Sequence, residues 1–187
     1  MTLEQPTLVV LDRDGVINED SPDFIKSPNE WHAIPGSLAA IAKLREAGLA
    51  VAIATNQSGV GRGLFSFDTL WDIHRKMLAE IQAAGGYVTR IFFCLHTPED
   101  NCDCRKPKPG LLYQIAEHFA CPFEHMILIG DAERDLQAAE AVGARAILVR
   151  TGKGIQTEQE LGGKVSLEVY DDLSAAVTAL LAERVSE

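Results

Sequence analysis

The run Leu8-Val9-Val10-Leu11 ends in Asp12-Arg13-Asp14-Gly15. In an extended chain the side chains at i and i+2 share a face, so Asp12 and Asp14 can enter one pocket beyond the strand's carboxyl end. Two carboxylates so placed suit phosphoryl transfer: one attacks phosphorus and forms an acyl-phosphate, and the other moves the proton. The negative charge that gathers there calls for a hard cation with oxygen ligands, for which magnesium is the usual choice. Gly15 lets the chain turn away at once. Taken alone, these four residues are equally a surface turn capped by aspartates, and the other loops must decide.

Thr55-Asn56-Gln57-Ser58 follows the apolar run Val51-Ala52-Ile53-Ala54, and Gly130-Asp131 follows Met126-Ile127-Leu128-Ile129. Hydroxyls and amides in the first of these loops can bind phosphate oxygens, although a plain Asn/Ser/Gly turn has the same composition. Asp131 brings a further carboxylate to a cation held by Asp12. Asp135 falls in the next helical turn, where it either orients the site or caps the helix. In Arg105-Lys106-Pro107-Lys108, the Lys106 ammonium suits the charge of a phosphoryl transition state and the planar Arg105 suits a substrate phosphate or carboxylate. Lys108 reads as a solvated surface cation. Arg150-Thr151-Gly152-Lys153-Gly154 either contacts substrate or is a glycine-rich surface loop.

Between Cys94 and Cys104 the chain packs three of its four cysteines with His96. Cys94, His96, Cys102 and Cys104 are four soft donors, the complement of a closed tetrahedral zinc site. A disulfide between Cys102 and Cys104 would be strained. With no position left for water, the zinc is expected to be structural, stapling the 94–104 loop and presenting Arg105 and Lys106 to the crevice. Cys121 reads as a packing residue, and His32, His74, His118 and His125 lack partners in sequence.

These loops need a scaffold that delivers them to one edge. Strand-like segments at Thr7–Leu11, Leu49–Ala54, Val88–Phe93, Met126–Ile129 and Ala146–Val149 alternate with helix-like ones at Ser37–Ala47, Phe67–Ala84, Gly110–Phe119 and Arg134–Val142. That alternation predicts an α/β, Rossmann-like doubly wound parallel sheet with helices on both faces. Leu70, Ile73, Met77, Leu78 and Ile81 form one apolar helix face. In open sheets of this kind ligands bind at the carboxyl ends of the strands, where Asp12, Thr55 and Asp131 all fall.

At 187 residues the chain fits a single domain spanning 1–187. Its 47% hydrophobic and 24% charged residues are globular values, and no apolar run is long enough for a bilayer. The net charge of −10 disfavours nucleic acid and anionic membranes as partners. The first residues show no secretory pattern, so the expected location is cytoplasmic, with reduced thiols. A monomer is expected, since no apolar stripe is left unexplained.

In order along the chain, D-R-D-G-V, T-N-Q-S-G, C-R-K-P-K-P-G and G-D-x-x-x-D resemble the haloacid dehalogenase superfamily of phosphatases. The T-N-Q-S-G-x-x-R-G stretch and the cysteine loop resemble its zinc-loop branch, which takes in heptose-bisphosphate and histidinol-phosphate phosphatases. The resemblance implies Asp12 as nucleophile and Asp14 as general acid and base, with Thr55 and Lys106 steadying the phosphoryl group. Magnesium would be held by Asp12, the main-chain carbonyl of Asp14, and Asp131; zinc by the four soft donors; and Arg105 would recognise substrate. Arg13 should point away from its two neighbours. Asn56, Gln57 and Ser58 would join the substrate site, as would Asp20, Ser21, Pro22 and Asp23 on a rim running to Pro35. The connections after Asp14 and after Ser58 are too short for a separate cap domain. Where relatives often carry a lysine after the motif aspartate, this chain has Ala132. The expected partner is a small phosphorylated sugar. Histidinol phosphate is the rival substrate, and a non-catalytic phosphosugar-binding module the rival class.

Overall fold

The structure, a computed structural model, describes residues 8–162 and 166–185. Thr7, placed by the sequence in the first strand, lies outside the described residues. Six strands form one sheet in the order β3-β2-β1-β4-β5-β6, every pair parallel: β1 Leu8–Leu11, β2 Ala50–Asn56, β3 Arg90–Cys94, β4 Met126–Gly130, β5 Arg145–Val149 and β6 Val169–Tyr170. The helices are α1 Ser37–Glu46, the short α2 Ser58–Gly61, α3 Phe67–Ala83, α4 Gly110–Phe119, α5 Glu133–Glu140, α6 Gly154–Leu161 and α7 Leu173–Val185.

Parallel strands covered on both faces are apolar throughout, and β1 is buried at all four positions. Alternation along the strands divides the core. Val9 and Leu11 join Val51, Ile53, Ile127 and Ile129 against Ile41 and Leu44 of α1, Ile73, Met77 and Ile81 of α3, and Val177 and Leu180 of α7. Leu8 and Val10 face the other way, onto Leu111, Leu112 and Ile115 of α4 and Ala138 and Ala139 of α5. Each large aliphatic side chain so buried contributes roughly 1.5–3 kcal/mol relative to exposure. The predicted doubly wound α/β architecture is the one observed, with β6, α2, α6 and α7 added. Between β1 and α1 lies a loop with one 3-10 turn, Pro28–Glu30, and only α2 and α3 separate β2 from β3; no cap domain is inserted.

Register places the loops. Leu11 is level with Ile53 of β2 on one side and with Ile129 of β4 on the other, and the Asp12 amide donates to the Ile129 carbonyl at 2.9 Å. β1, β2 and β4 therefore end at one edge of the sheet, β4 one residue and β2 three residues beyond the level of Leu11, with the sheet winding outward from β1 in both directions. A crevice opens at such a switch point. No described helix is long and apolar enough to cross a membrane.

Candidate active site

Asp12 sits at the floor of this crevice, buried. Its Oδ1 accepts from the Arg13 amide at 2.7 Å and lies 3.1 Å from Lys106 Nζ, while Oδ2 is 3.9 Å from Arg134 Nη2. Burial pushes its pKa up to about 6, even against the pull of Lys106. Lys106 has a side chain 0% exposed; its ammonium donates to the Ala54 carbonyl at 2.7 Å and sits 2.6 Å from Asp135 Oδ1. Burial works against that ammonium, but Asp12 and Asp135 outweigh it and hold its pKa above the ordinary lysine value.

Asp131 adds the third wall. Its Oδ2 accepts from the Lys153 amide at 2.8 Å, its main-chain carbonyl accepts from the Thr157 hydroxyl at 3.0 Å, and its Oδ1 is buried without a partner. Burial first, and then the Asp12 charge, push its pKa up to about 7. Gly15, at φ 83°, and Gly152 press on this carboxylate, and a methyl group on either would collide with Oδ2. Carboxylate oxygens of Asp12, Asp131 and Asp135 all lie within 4.8 Å of one another. Three acids against one fully buried ammonium, with one oxygen left unpaired, are a donor set that fits a hard divalent cation.

Asp135 does both things the sequence left open. Its Oδ2 accepts from the Ala132 amide at 3.1 Å, capping α5, and its Oδ1 faces Lys106. Asp14 stands apart from the three-carboxylate cluster. Gln57 donates to its Oδ2 at 2.9 Å and Asn18 to its Oδ1 at 2.9 Å, and Arg13 grips it with Nε at 3.0 Å and Nη2 at 2.8 Å from Oδ1. Burial would raise the Asp14 pKa, but the Arg13 charge and these hydrogen bonds bring it below the usual carboxylate value.

Arg13 thus corrects the expectation that it points away. Extended geometry stops at Leu11, and the Ile17 and Asn18 amides both bond back to the Arg13 carbonyl, curling the segment so that neighbouring side chains meet. The same curl brings Arg13 Nη1 to 3.3 Å from His74 Nε2, so His74 has a partner that the sequence did not show.

Thr55 is buried and its hydroxyl accepts from Gln57 at 2.8 Å. Both polar atoms of Asn56 are spent on the Lys106 peptide, Nδ2 donating to its carbonyl at 3.0 Å and Oδ1 accepting from its amide at 3.1 Å. Asn56 therefore positions Lys106. Ser58 is buried at the start of α2. Asp20 and Pro22 line a cleft of about 600 Å³ with Thr151, Gly152 and Lys153, and Ser21 and Asp23 line a neighbouring hollow with Asp20. Lys153 spans the first cleft, its ammonium 3.2 Å from Asp20 Oδ2. The 150–154 loop is part of the site: Thr151 donates to the Gly15 carbonyl at 2.6 Å, while Arg150 is tied to Glu158 and Asp171.

In the cysteine loop, Cys94 Sγ lies 3.1 Å from Cys104 Sγ and 3.6 Å from Cys102 Sγ, and His96 Nδ1 is 3.3 Å from Cys104 Sγ. The four donors lie within 4.8 Å of one another, a spacing open to one tetrahedral ion. Arg105, next along, donates to the His96 carbonyl at 3.2 Å, and Lys108 bonds Asn101 on the exposed side. Cys121 packs at the edge of the second core face. Sequence reasoning missed Arg134, whose place in the first turn after Asp131 was the available signal, and the supporting part of the Lys153 amide.

The sheet order and the strand-end acids define a haloacid dehalogenase-like hydrolase. Residues 103–176 match the HAD-hydrolase-like family. A relative from Pseudomonas putida, D-glycero-beta-D-manno-heptose-1,7-bisphosphate 7-phosphatase, is 49% identical over 174 residues, covering 93% of this chain and 99% of the relative. The crystal structure of D,D-heptose 1,7-bisphosphate phosphatase from Bordetella bronchiseptica, complexed with magnesium and phosphate, has TM-score 0.92 and 47% identity, covering 95% of this chain and 99% of the other. The corresponding structure from Burkholderia thailandensis has TM-score 0.75 and 43% identity, covering 94% and 99%. The chain belongs to the haloacid dehalogenase-like family, in the group formed by these 7-phosphatase relatives.

Proposed function

We propose that the protein is a magnesium-dependent phosphomonoesterase that removes the 7-phosphate of D-glycero-D-manno-heptose 1,7-bisphosphate. The observation that carries this reading is the cluster of Asp12, Asp131 and Asp135 around Lys106, taken with relatives of that name at close to half identity. An Asp12 oxygen attacks phosphorus and the bond from phosphorus to the sugar oxygen breaks, the Asp14 proton passing to the leaving oxygen. Heptose 1-phosphate leaves and Asp12 carries the phosphoryl group. Asp14 then takes a proton from water, the hydroxide oxygen bonds phosphorus, and the acyl-phosphate bond breaks to return Asp12 and free phosphate. An arriving phosphate dianion offsets the positive charge around Asp14 and raises its affinity for the proton it must donate.

Asp12, Asp131 and the Asp14 main-chain carbonyl would hold the magnesium, which when bound neutralises phosphate charge. The unpaired Oδ1 of Asp131 supports this. Lys106 and Thr55 steady the phosphoryl group, and Arg105 with the 20–23 rim meets the rest of the substrate. Cys94, His96, Cys102 and Cys104 would hold a structural zinc. The product fits the route to the nucleotide-activated heptose of bacterial lipopolysaccharide cores, carried out by a cytoplasmic, monomeric single-domain protein.

Phosphate release from heptose 1,7-bisphosphate and from histidinol phosphate, each with magnesium, tests the reading. The bisphosphate is the expected better substrate, with activity lost in Asp12→Asn. Preference for histidinol phosphate would overturn the substrate, and an active Asp12→Asn would overturn the covalent route.

A further inference from the structure

His74 lies on α3, a helix that supplies none of the strand-end loops, yet its ring reaches the catalytic segment. It is 1% exposed, stands against Phe93 with ring centroids 6.0 Å apart, and meets Arg13 Nη1 at 3.3 Å through Nε2. A guanidinium only donates, so Nε2 must be the acceptor and the ring proton must sit on Nδ1. A charged imidazole could not take that bond. Burial, and then Arg13, push the His74 pKa down to about 3, in keeping with a neutral ring.

Arg13 is itself completely buried. Its Nε and Nη2 are committed to Asp14, and His74 is the partner of Nη1 among the described residues. Asp14 holds the Nε/Nη2 edge of the planar fork, and His74 holds its remaining Nη1 end. We propose that His74 is a positioning residue for proton transfer: as a neutral acceptor it fixes the tilt of Arg13, and through that fork it sets where the Asp14 carboxyl stands. The inference rests on the reading of Asp14 as general acid and base. In a core-filling role any apolar side chain of similar size would serve; here the acceptor atom is what matters.

A leaving group that needs no proton separates these roles. Single-turnover release is measured with heptose 1,7-bisphosphate, whose leaving alkoxide must be protonated, and with p-nitrophenyl phosphate, whose phenolate need not be. In His74→Leu the loss with the bisphosphate is expected to exceed the loss with p-nitrophenyl phosphate by about tenfold, a fraction of what a general acid supplies. His74→Gln, which keeps an acceptor oxygen, should recover most of that ratio. Should the leucine variant not fold, His74→Met is read against His74→Gln in the same way. Equal losses on both substrates, or no loss, would overturn the inference. So would ring nitrogen chemical shifts in the native protein showing His74 protonated at Nε2 near neutral pH. Asp14→Asn is the control: if it keeps full activity the reading of Asp14 fails, whereas an inactive Asp14→Asn beside an indifferent His74 refutes the positioning role alone.

Discussion

Lys106 Nζ stands 3.1 Å from Asp12 Oδ1, and both side chains are shut away from solvent. The ammonium therefore offsets the charge of the resting carboxylate, and under the proposed function it would do the same for the phosphoryl group on Asp12. Lys106→Met should lower kcat by roughly 100- to 1000-fold, the scale of losing one fixed electrostatic stabiliser. It should also destabilise the fold by about 3 kcal/mol, because Asp12 and Asp135 lose their shared counter-charge. Steady-state kinetics and urea denaturation read the two effects, and a variant within tenfold of native kcat would sink the assignment.

Proton uptake gives a second prediction. Asp12 at about 6 and Asp131 at about 7 bind protons in the folded protein that an unfolded chain releases near 3.8. Stability of the magnesium-free protein should therefore fall as pH rises from about 4 to about 7. Asp14, shifted the other way, loses its contribution only below that window. Added magnesium should raise Tm more at about pH 8 than at about pH 5, because it binds the ionised cluster. Asp131→Asn should flatten the pH dependence; an unchanged slope in that variant would contradict the account.

Arg134 offers a third test. Its side chain is 32% exposed and its Nη2 is 3.9 Å from Asp12 Oδ2, so the fork faces the crevice where Ala132 brings no cation. Arg134→Ala should weaken inhibition by inorganic phosphate by roughly tenfold, about the worth of one charged hydrogen bond. A phosphate inhibition constant within twofold of native would remove Arg134 from the phosphate site.

For the cysteine loop, elemental analysis of protein purified without chelator should find about one equivalent of zinc. Cys104→Ser should lower that content and reduce kcat/KM about tenfold or more through Lys106, two residues on, a displacement effect of the kind that a misplaced group produces. Full activity in a zinc-free protein would refute the stapling role.

The strand-end aspartates and Thr55 were legible because each follows an apolar run, and alternation of strands and helices dictates where such loops gather; Lys106 was legible because it directly follows the cysteine loop. Arg13 was not, since its direction depends on amide bonds made beyond the strand, where the i, i+2 rule no longer applies. His74 read as unpartnered because its partner is 61 residues away. Helix α7 escaped notice for another reason: Leu-Ser-Ala-Ala-Val-Thr-Ala-Leu-Leu-Ala is apolar nearly all round and shows no one-sided stripe, yet Leu173, Ala176, Val177 and Leu180 close the core.

The Asp131 carboxylate is wedged between Gly15, from the loop after β1, and the Gly152–Lys153 segment after β5. A ribosome-bound chain stopped before β5 could already pair β1 with β2 and β4, yet it would lack half of that wedge. Catalytic competence should arrive only once the 152–153 segment has been made and has closed on Asp131, so turnover by stalled nascent chains would report formation of that loop.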